Sequence, residues 1–251
     1  FVCSPAEMGL PGQQYFAGTH LNPNVTWWDK SGPFFAYINR SQALMQQGLF
    51  VADVACYYGD HVPNFAQLKK SDPARIQPGY DYDVLTEEVL LTRAAVRDGR
   101  LVLPDGMSYR VLVLPNRMSI SLPVLRKVQE FIHAGATVIG PAPTEASGLT
   151  DFPARDAEVR RLAAELWGGG RVVTNRTVRE VLLASGVQPD FEFTGARPDA
   201  SIDYIHRRAD GAEIYFVANR SNRAEQLEGT FRVSGQAPEL WNAVTGERRF
   251  A

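Results

Sequence analysis

The chain has 251 residues, 45% hydrophobic and 22% charged, enough to bury a real core across roughly one to three domains. Lys+Arg 26 against Asp+Glu 28 leaves a net charge of −2, which argues against a nucleic-acid partner held by phosphate neutralisation. No apolar run approaches the roughly 18 residues of a membrane span, and two cysteines, Cys3 and Cys56, exclude a disulfide framework or a Cys-rich zinc site.

The four histidines, His20, His61, His133 and His206, do not fall at metal-ligand spacing. The chain opens on Phe1, with no initiator Met and no signal peptide, and is expected to be a segment of a longer polypeptide.

Residues 1–31 have the Gly, Pro and Asn content of a loop and end in the adjacent pair Trp27 and Trp28. Two indoles beside polar amides suit a sugar-stacking surface, and equally a core Trp with a second one as its lid. Residues 32–48 read as a helix, with Pro33 near its start and Gly48 at its end. Its stripe of Phe34, Tyr37, Ile38, Leu44 and Met45 is expected to be core.

The segment 50–57 predicts a buried strand of a parallel sheet. Asp60 and His61 follow its C-terminal end, where open α/β sheets bind ligands. Asp60 is therefore a candidate substrate contact; a turn-capping Asp beside a solvated imidazole is the competing reading. Residues 69–81 read as a loop, and 83–91 starts a helix capped by Thr86 or Asp83. Asp105-Gly106 marks a hairpin over 100–109. A strand over 110–115, a helix carrying Leu122, Leu125, Val128, Phe131 and Ile132, and a strand from Thr137 make a βαβ unit.

No GxGxxG, P-loop or GxSxG motif opens any of these helices. Short helices over 157–167 and 178–184 follow. From Asp203 the period changes to two, which predicts antiparallel strands over 203–207, 212–219 and 228–233.

The stretch Gly18-Thr19-His20-Leu21-Asn22-Pro23-Asn24-Val25-Thr26-Trp27-Trp28 resembles α-L-rhamnosidases of glycoside hydrolase family 106. So do 46–54, 105–115 and the closing Pro238-Glu239-Leu240-Trp241-Asn242, in the same order. The resemblance implies an α/β fold in three parts. Residues 1–48 would be the end of a (β/α)8 catalytic barrel. Residues 49–190 would be a parallel-sheet domain like class I amidotransferases or flavodoxin, of the kind family 42 β-galactosidases carry after their barrel. Residues 200–251 would begin an antiparallel β-sandwich. A barrel alone needs roughly 250 residues, so the chain is not expected to contain the whole catalytic domain.

A glycosidase needs two carboxylates flanking the scissile bond, spaced in inverting enzymes to admit a water. The resemblance implies two glutamates, inversion and a calcium ion. Before the α/β domain the chain offers only Glu7, Asp29 and Asp53, none matching a catalytic position, so the catalytic pair and calcium ligands are expected upstream. What remains is substrate contact. His20 offers an imidazole, Asn22 and Asn24 offer amides to vicinal diols, and Trp27 or Trp28 offers a ring to the methyl of a 6-deoxy sugar. Loop stabilisation by the same residues is the competing reading.

The position after 111–115 carries Asn116-Arg117-Met118-Ser119 rather than the amidotransferase Cys, so that domain is expected to be catalytically silent. The expected partner is an oligosaccharide or glycoside, with no nucleic acid and no membrane, a homo-oligomer being open. Location is expected to be secreted or periplasmic, on the resemblance alone. A non-catalytic scaffold and a β-galactosidase-like enzyme are the alternatives.

Overall fold

The computed structural model describes Glu7, Leu21, Pro23, residues 25–69, Ile76 and residues 78–250. The chain divides into two compact units, one of residues 1–47 with 234–251 and one of residues 48–233.

In the first unit a 3-10 turn at Trp28–Lys30 leads into helix α1 (Gly32–Met45), with Pro33 in the first turn, where its missing N–H costs nothing. Of the expected stripe Tyr37, Ile38, Leu44 and Met45 are half-buried, Phe34 is exposed, and none is buried. The core reading is corrected here: no residue of α1 is fully buried in the described structure. At the far end of the sequence this unit has an antiparallel hairpin, Glu239–Trp241 with Arg248–Phe250. The Arg40 guanidinium of α1 donates to Ala243 O at 3.1 Å and Val244 O at 3.0 Å in the hairpin loop.

The second unit begins with β1 (Leu49–Phe50), β2 (Val54–Tyr57), β3 (Tyr82–Leu85), α2 (Glu87–Thr92), β4 (Ala95–Arg97), β5 (Arg100–Val102) and β6 (Ser108–Tyr109). It continues with β7 (Val111–Val113), β8 (Ser119–Ile120), α3 (Leu122–His133), β9 (Thr137–Ile139), β10 (Glu145–Ala146), α4 (Ala154–Gly168) and β11 (Val172–Val173). It closes with α5 (Val178–Ala184), β12 (Phe191–Thr194), β13 (Ile202–Ala209), β14 (Ala212–Asn219) and β15 (Glu228–Phe231).

A five-stranded parallel sheet, β11-β9-β7-β2-β3, forms the centre. Numbered along the chain and read from β3, its order is 2-1-3-4-5, that of a doubly wound sheet. Alternation along each strand feeds two cores. Ala55, Tyr57, Leu112 and Val138 face α2, α3 and α4 through Leu90, Leu125, Val128, Leu162 and Leu166. Val54, Cys56, Val111, Val113 and Ile139 face α5 through Val178, Val181 and Leu182. Both faces are covered, which is why these strands read as continuous apolar runs.

Three local differences from the sequence reading have physical reasons. The segment 50–57 is two strands in different sheets: β1 pairs antiparallel with β13, and β2 joins the parallel sheet. Val51 N still donates to His206 O, and the chain then crosses over at Asp53, whose carbonyl accepts from Arg110 N and Val111 N. Residues 82–85 form β3, and the helix starts after it at Glu87, with Thr86 as its cap. An extra strand, β4, precedes the expected hairpin and turns at Asp98 and Gly99, both with positive φ as a type I′ turn requires. The strands expected over 203–233 form within this unit, β13 and β14 extending the pairing of β1.

Gly48 has φ +53, and a Cβ there would lie 1.9 Å from Arg208 O. Gly48→Ala is expected to cost more than about 1 kcal/mol through that clash and the strained φ. Leu125→Ala, which empties a fully buried site, is expected to cost about 2–5 kcal/mol. Urea denaturation followed by circular dichroism reads both; an unchanged midpoint for Leu125→Ala would contradict the packing described.

Candidate functional site

In a sheet of order 2-1-3-4-5 the connections after its first and third strands diverge, and a crevice opens at their C-terminal ends. Here those strands are β2 and β7. The sequence places Tyr57, Gly59, Asp60 and His61 at the end of one, and Pro115 to Arg117 at the end of the other. Gly59 takes φ +91, which turns the chain sharply out of β2, and Asn64 Nδ2 ties the loop by donating to Gly59 O at 2.7 Å.

Asp60 is exposed at this crevice, where its Oδ1 accepts from Ser147 Oγ at 3.0 Å. Glu87, in the first turn of α2, accepts from Ser121 Oγ at 2.7 Å. The buried Tyr57 phenol has its pKa pushed up, first by burial and then by the carboxylates of Glu87 and Asp60. Two carboxylates, a phenol and two serine hydroxyls thus gather on one side of the switch point. Ionised carboxylates only accept hydrogen bonds, so the cluster favours a hydroxyl-bearing or cationic ligand over an anion. Glu87, Tyr57, Ser121 and Ser147 were not singled out by the sequence reading. Recognising β3 would have pointed to Glu87, since the residue after a strand-ending cap opens the crevice.

Of the other expected contacts, His20, Asn22 and Asn24 lie outside the described residues. Trp27 and Trp28 belong to the first unit and are half-buried. The Trp28 ring stands edge-on to Phe35, with centroids 5.8 Å apart and an interplanar angle of 67°, so part of its surface serves packing. Asp60 belongs to the second unit. Glu7 and Asp29 are exposed, and Asp53 is buried.

After β7, where the resemblance implies an amidotransferase nucleophile, Arg117 N closes a tight turn onto Pro115 O with no thiol, and Cys56 is buried inside β2. Among the described residues no three His, Cys, Asp or Glu side chains are placed together to hold a metal ion. No helix among them is long and apolar enough to cross a membrane.

A second polar cluster is centred on the buried side chains of His206, Asp190 and Asp53. His206, 1% exposed, sets Nδ1 2.9 and 3.0 Å from the two Asp190 oxygens and Nε2 2.7 Å from Glu213 Oε2. Tyr215 stacks on the imidazole at 3.8 Å and donates its hydroxyl to Asp190 at 2.9 Å. Burial first, then Asp190, raises the Tyr215 pKa. Arg232 bridges Asp190 at 3.4 Å and Asp53 at 2.8 Å, and Arg110 reaches Asp53 at 3.1 Å. Burial opposes the charge of Arg232, but Asp53 and Asp190 together hold its pKa above the ordinary value. The Asp–His–Glu row has the residue types of a catalytic relay, but its Asp190 and His206 are buried within the unit, which suits a structural network. His206 shares the alternating phase of Tyr204 in β13, which marks it for the buried face.

The sequence profile of glycoside hydrolase family 106, described as alpha-L-rhamnosidase, matches residues 1–250. A protein of Formosa agariphila named "Putative beta-glucuronidase" is 38% identical over 232 residues, covering 92% of this chain and 19% of that protein. The solved structure of a rhamnosidase from Novosphingobium sp. PP1Y superposes with a TM-score of 0.82 at 34% identity, over 93% of this chain and 23% of that one. The chain thus spans about a fifth of each relative's length.

Removing one member of the buried row leaves the others charged and desolvated. Asp190→Asn and His206→Ala are each expected to lower stability by about 3–5 kcal/mol. Asp60→Ala, at an exposed site, is expected to stay within about 0.5 kcal/mol. Thermal unfolding of the three variants separates a structural row from an open crevice, and equal losses would contradict the distinction.

Proposed function

We propose, for a chain that belongs to glycoside hydrolase family 106, that it serves an inverting α-L-rhamnosidase as an accessory portion rather than as the seat of catalysis. The observation carrying this is the family match across residues 1–250, joined by the rhamnosidase superposition. In this reading residues 1–48 end a catalytic barrel, and the parallel-sheet portion from residue 49 is an amidotransferase-like accessory domain without a nucleophile.

The two carboxylates that protonate the leaving oxygen and activate a water then belong to other segments of a longer enzyme, as do the calcium ligands. This chain's own contribution is substrate contact. Trp27 and Trp28 offer rings to the apolar face of a deoxy sugar, and His20, Asn22 and Asn24 offer hydrogen bonds to its hydroxyls. Asp60 offers a carboxylate to a glycan at the switch-point crevice. The substrate is a terminal rhamnoside of a plant or microbial glycan, and the setting is secreted or periplasmic.

A second reading is favoured by the 38% identical relative: a glycosidase acting on β-glucuronides. The two differ at the sugar, a neutral methyl-bearing ring against a carboxylate-bearing one.

The longer enzyme is expected to release p-nitrophenol from p-nitrophenyl α-L-rhamnopyranoside, with calcium present, at least about 100-fold faster than from the β-D-glucuronide. Residues 1–251 alone are expected to release none above background. A reversed preference would install the glucuronidase reading. Hydrolysis of neither would leave a non-catalytic scaffold, and hydrolysis by residues 1–251 alone would overturn the accessory role. His20→Ala in the longer enzyme is expected to lower kcat/KM by more than tenfold; a change within twofold would remove its contact role.

A further inference from the structure

Hydrogen-bonding capacity is left unspent where the chain leaves β2. Among the described residues four buried side-chain polar atoms have no hydrogen-bond partner, and two of them, Tyr57 Oη and His61 Nδ1, fall within residues 57–61. Tyr57 is 1% exposed. The carboxylates of Glu87 and Asp60 lie near enough to weigh on its proton, yet no acceptor meets the hydroxyl at hydrogen-bonding distance and angle. A Cβ on Gly59 would lie 3.3 Å from His61 Nδ1 and 3.9 Å from Arg117 Cδ, so those two side chains converge on the glycine between Tyr57 and His61. A buried polar group without a partner costs about 1–3 kcal/mol, a cost that a bound ligand can relieve.

The groups at this strand end restrict what that ligand is. Burial and the two carboxylates keep the Tyr57 phenol protonated, so it donates. Asp60 and Glu87 only accept; each gives one oxygen to a serine, Asp60 Oδ1 to Ser147 and Glu87 Oε1 to Ser121, and carries a second. The ligand must therefore accept from one group and donate to its neighbours. An ammonium only donates and a phosphate only accepts, whereas a hydroxyl does both. Arg117 brings a positive charge to the same strand end, which offsets the pull of the carboxylates on a cation.

We propose that Tyr57, Asp60, His61 and Glu87 form a binding site for one unit of a neutral saccharide, whose adjacent hydroxyls accept from Tyr57 and donate to the two carboxylates. The phenol is covered in the free protein, so a ligand reaches it by displacing the link between Asp60 and Ser147. That link is one hydrogen bond at an exposed position, worth about 1 kcal/mol. Gly59, at φ +91, is the natural pivot for the shift. The inference deepens the reading of Asp60 as a glycan contact and rests on it for the ligand being a sugar; the demand for a group that both donates and accepts comes from the crevice itself.

The test uses the 251-residue chain carrying 3-fluorotyrosine, with the Tyr57 fluorine resonance identified by its loss in Tyr57→Phe. Methyl α-L-rhamnopyranoside is expected to move that resonance saturably, with a millimolar Kd, while methylammonium and inorganic phosphate leave it in place. Saturation transfer to the glycoside reads the affinity of the variants. Tyr57→Phe and Glu87→Gln are each expected to weaken binding at least tenfold. Because the Tyr57 hydroxyl makes no bond in the free protein, Tyr57→Phe is expected to leave the Tm unchanged or raise it, which a structural role for that hydroxyl would not allow.

A Tyr57 resonance unmoved by the glycoside would overturn the proposal, as would one moved more by methylammonium or phosphate. Binding by Tyr57→Phe within twofold of the parent would overturn it too. Rhamnoside hydrolysis by the longer enzyme is measured separately. Hydrolysis there without binding here sinks the crevice site and spares the family activity, and binding here without hydrolysis there does the reverse.

Discussion

A row of charged side chains running through the second unit sets what the rest of that unit can do. From Arg110 it passes through Asp53, Arg232, Asp190, His206 and Glu213 to Arg208. Carboxylates face both ring nitrogens of His206, Asp190 at Nδ1 and Glu213 at Nε2. On either side of that ring the signs alternate, Arg110, Asp53, Arg232 and Asp190 on one side and Glu213 and Arg208 on the other. Buried charges repay their desolvation only when every neighbour is in place, so the row specifies position more than it adds stability. It fixes β13 and β14 against the start of β2 and β7, and Arg232 brings in the chain that follows β15. The apolar layers could tolerate a slide of one element; this row could not.

The row also explains where binding chemistry is free to sit. Asp53 precedes β2 and Arg110 precedes β7, so the network occupies the end of the sheet opposite the crevice. One end is closed by ion pairs and backbone crossovers. The other ends in loops whose polar groups are only partly engaged with one another. Binding groups can then vary at the open end without disturbing the contacts that hold the layers in register.

Legibility in the sequence followed the strength of local signals. α3 was readable because Leu122, Leu125, Val128, Phe131 and Ile132 all point one way, and the structure buries every one of them. α5 was readable as well, and it is closed by a reciprocal Thr177–Glu180 capping box. β3 was not, because Tyr82-Asp83-Val84-Leu85 runs straight into a helix and its Asp residues imitate caps. Asp83 instead accepts a hydrogen bond from Tyr109. Residues 50–57 looked like one strand because the crossover at Asp53 is enforced from far away, by Arg110 and Arg232. At the crevice, Asp60 could be placed from position alone. Glu87, Ser121 and Ser147 could not, since they arrive from three other elements through tertiary geometry.

The first unit is assembled from the two flanks of the described sequence, and that has a consequence in time. Arg40 and Val244, which bond across it, are 204 residues apart. At ribosomal rates of about 5–20 residues per second, α1 waits roughly 10–40 s after its own synthesis before its hairpin partner exists. The 48–233 unit, charged row included, can fold within that interval, so the bonds from Arg40 to the hairpin loop are among the last contacts of the described chain to form.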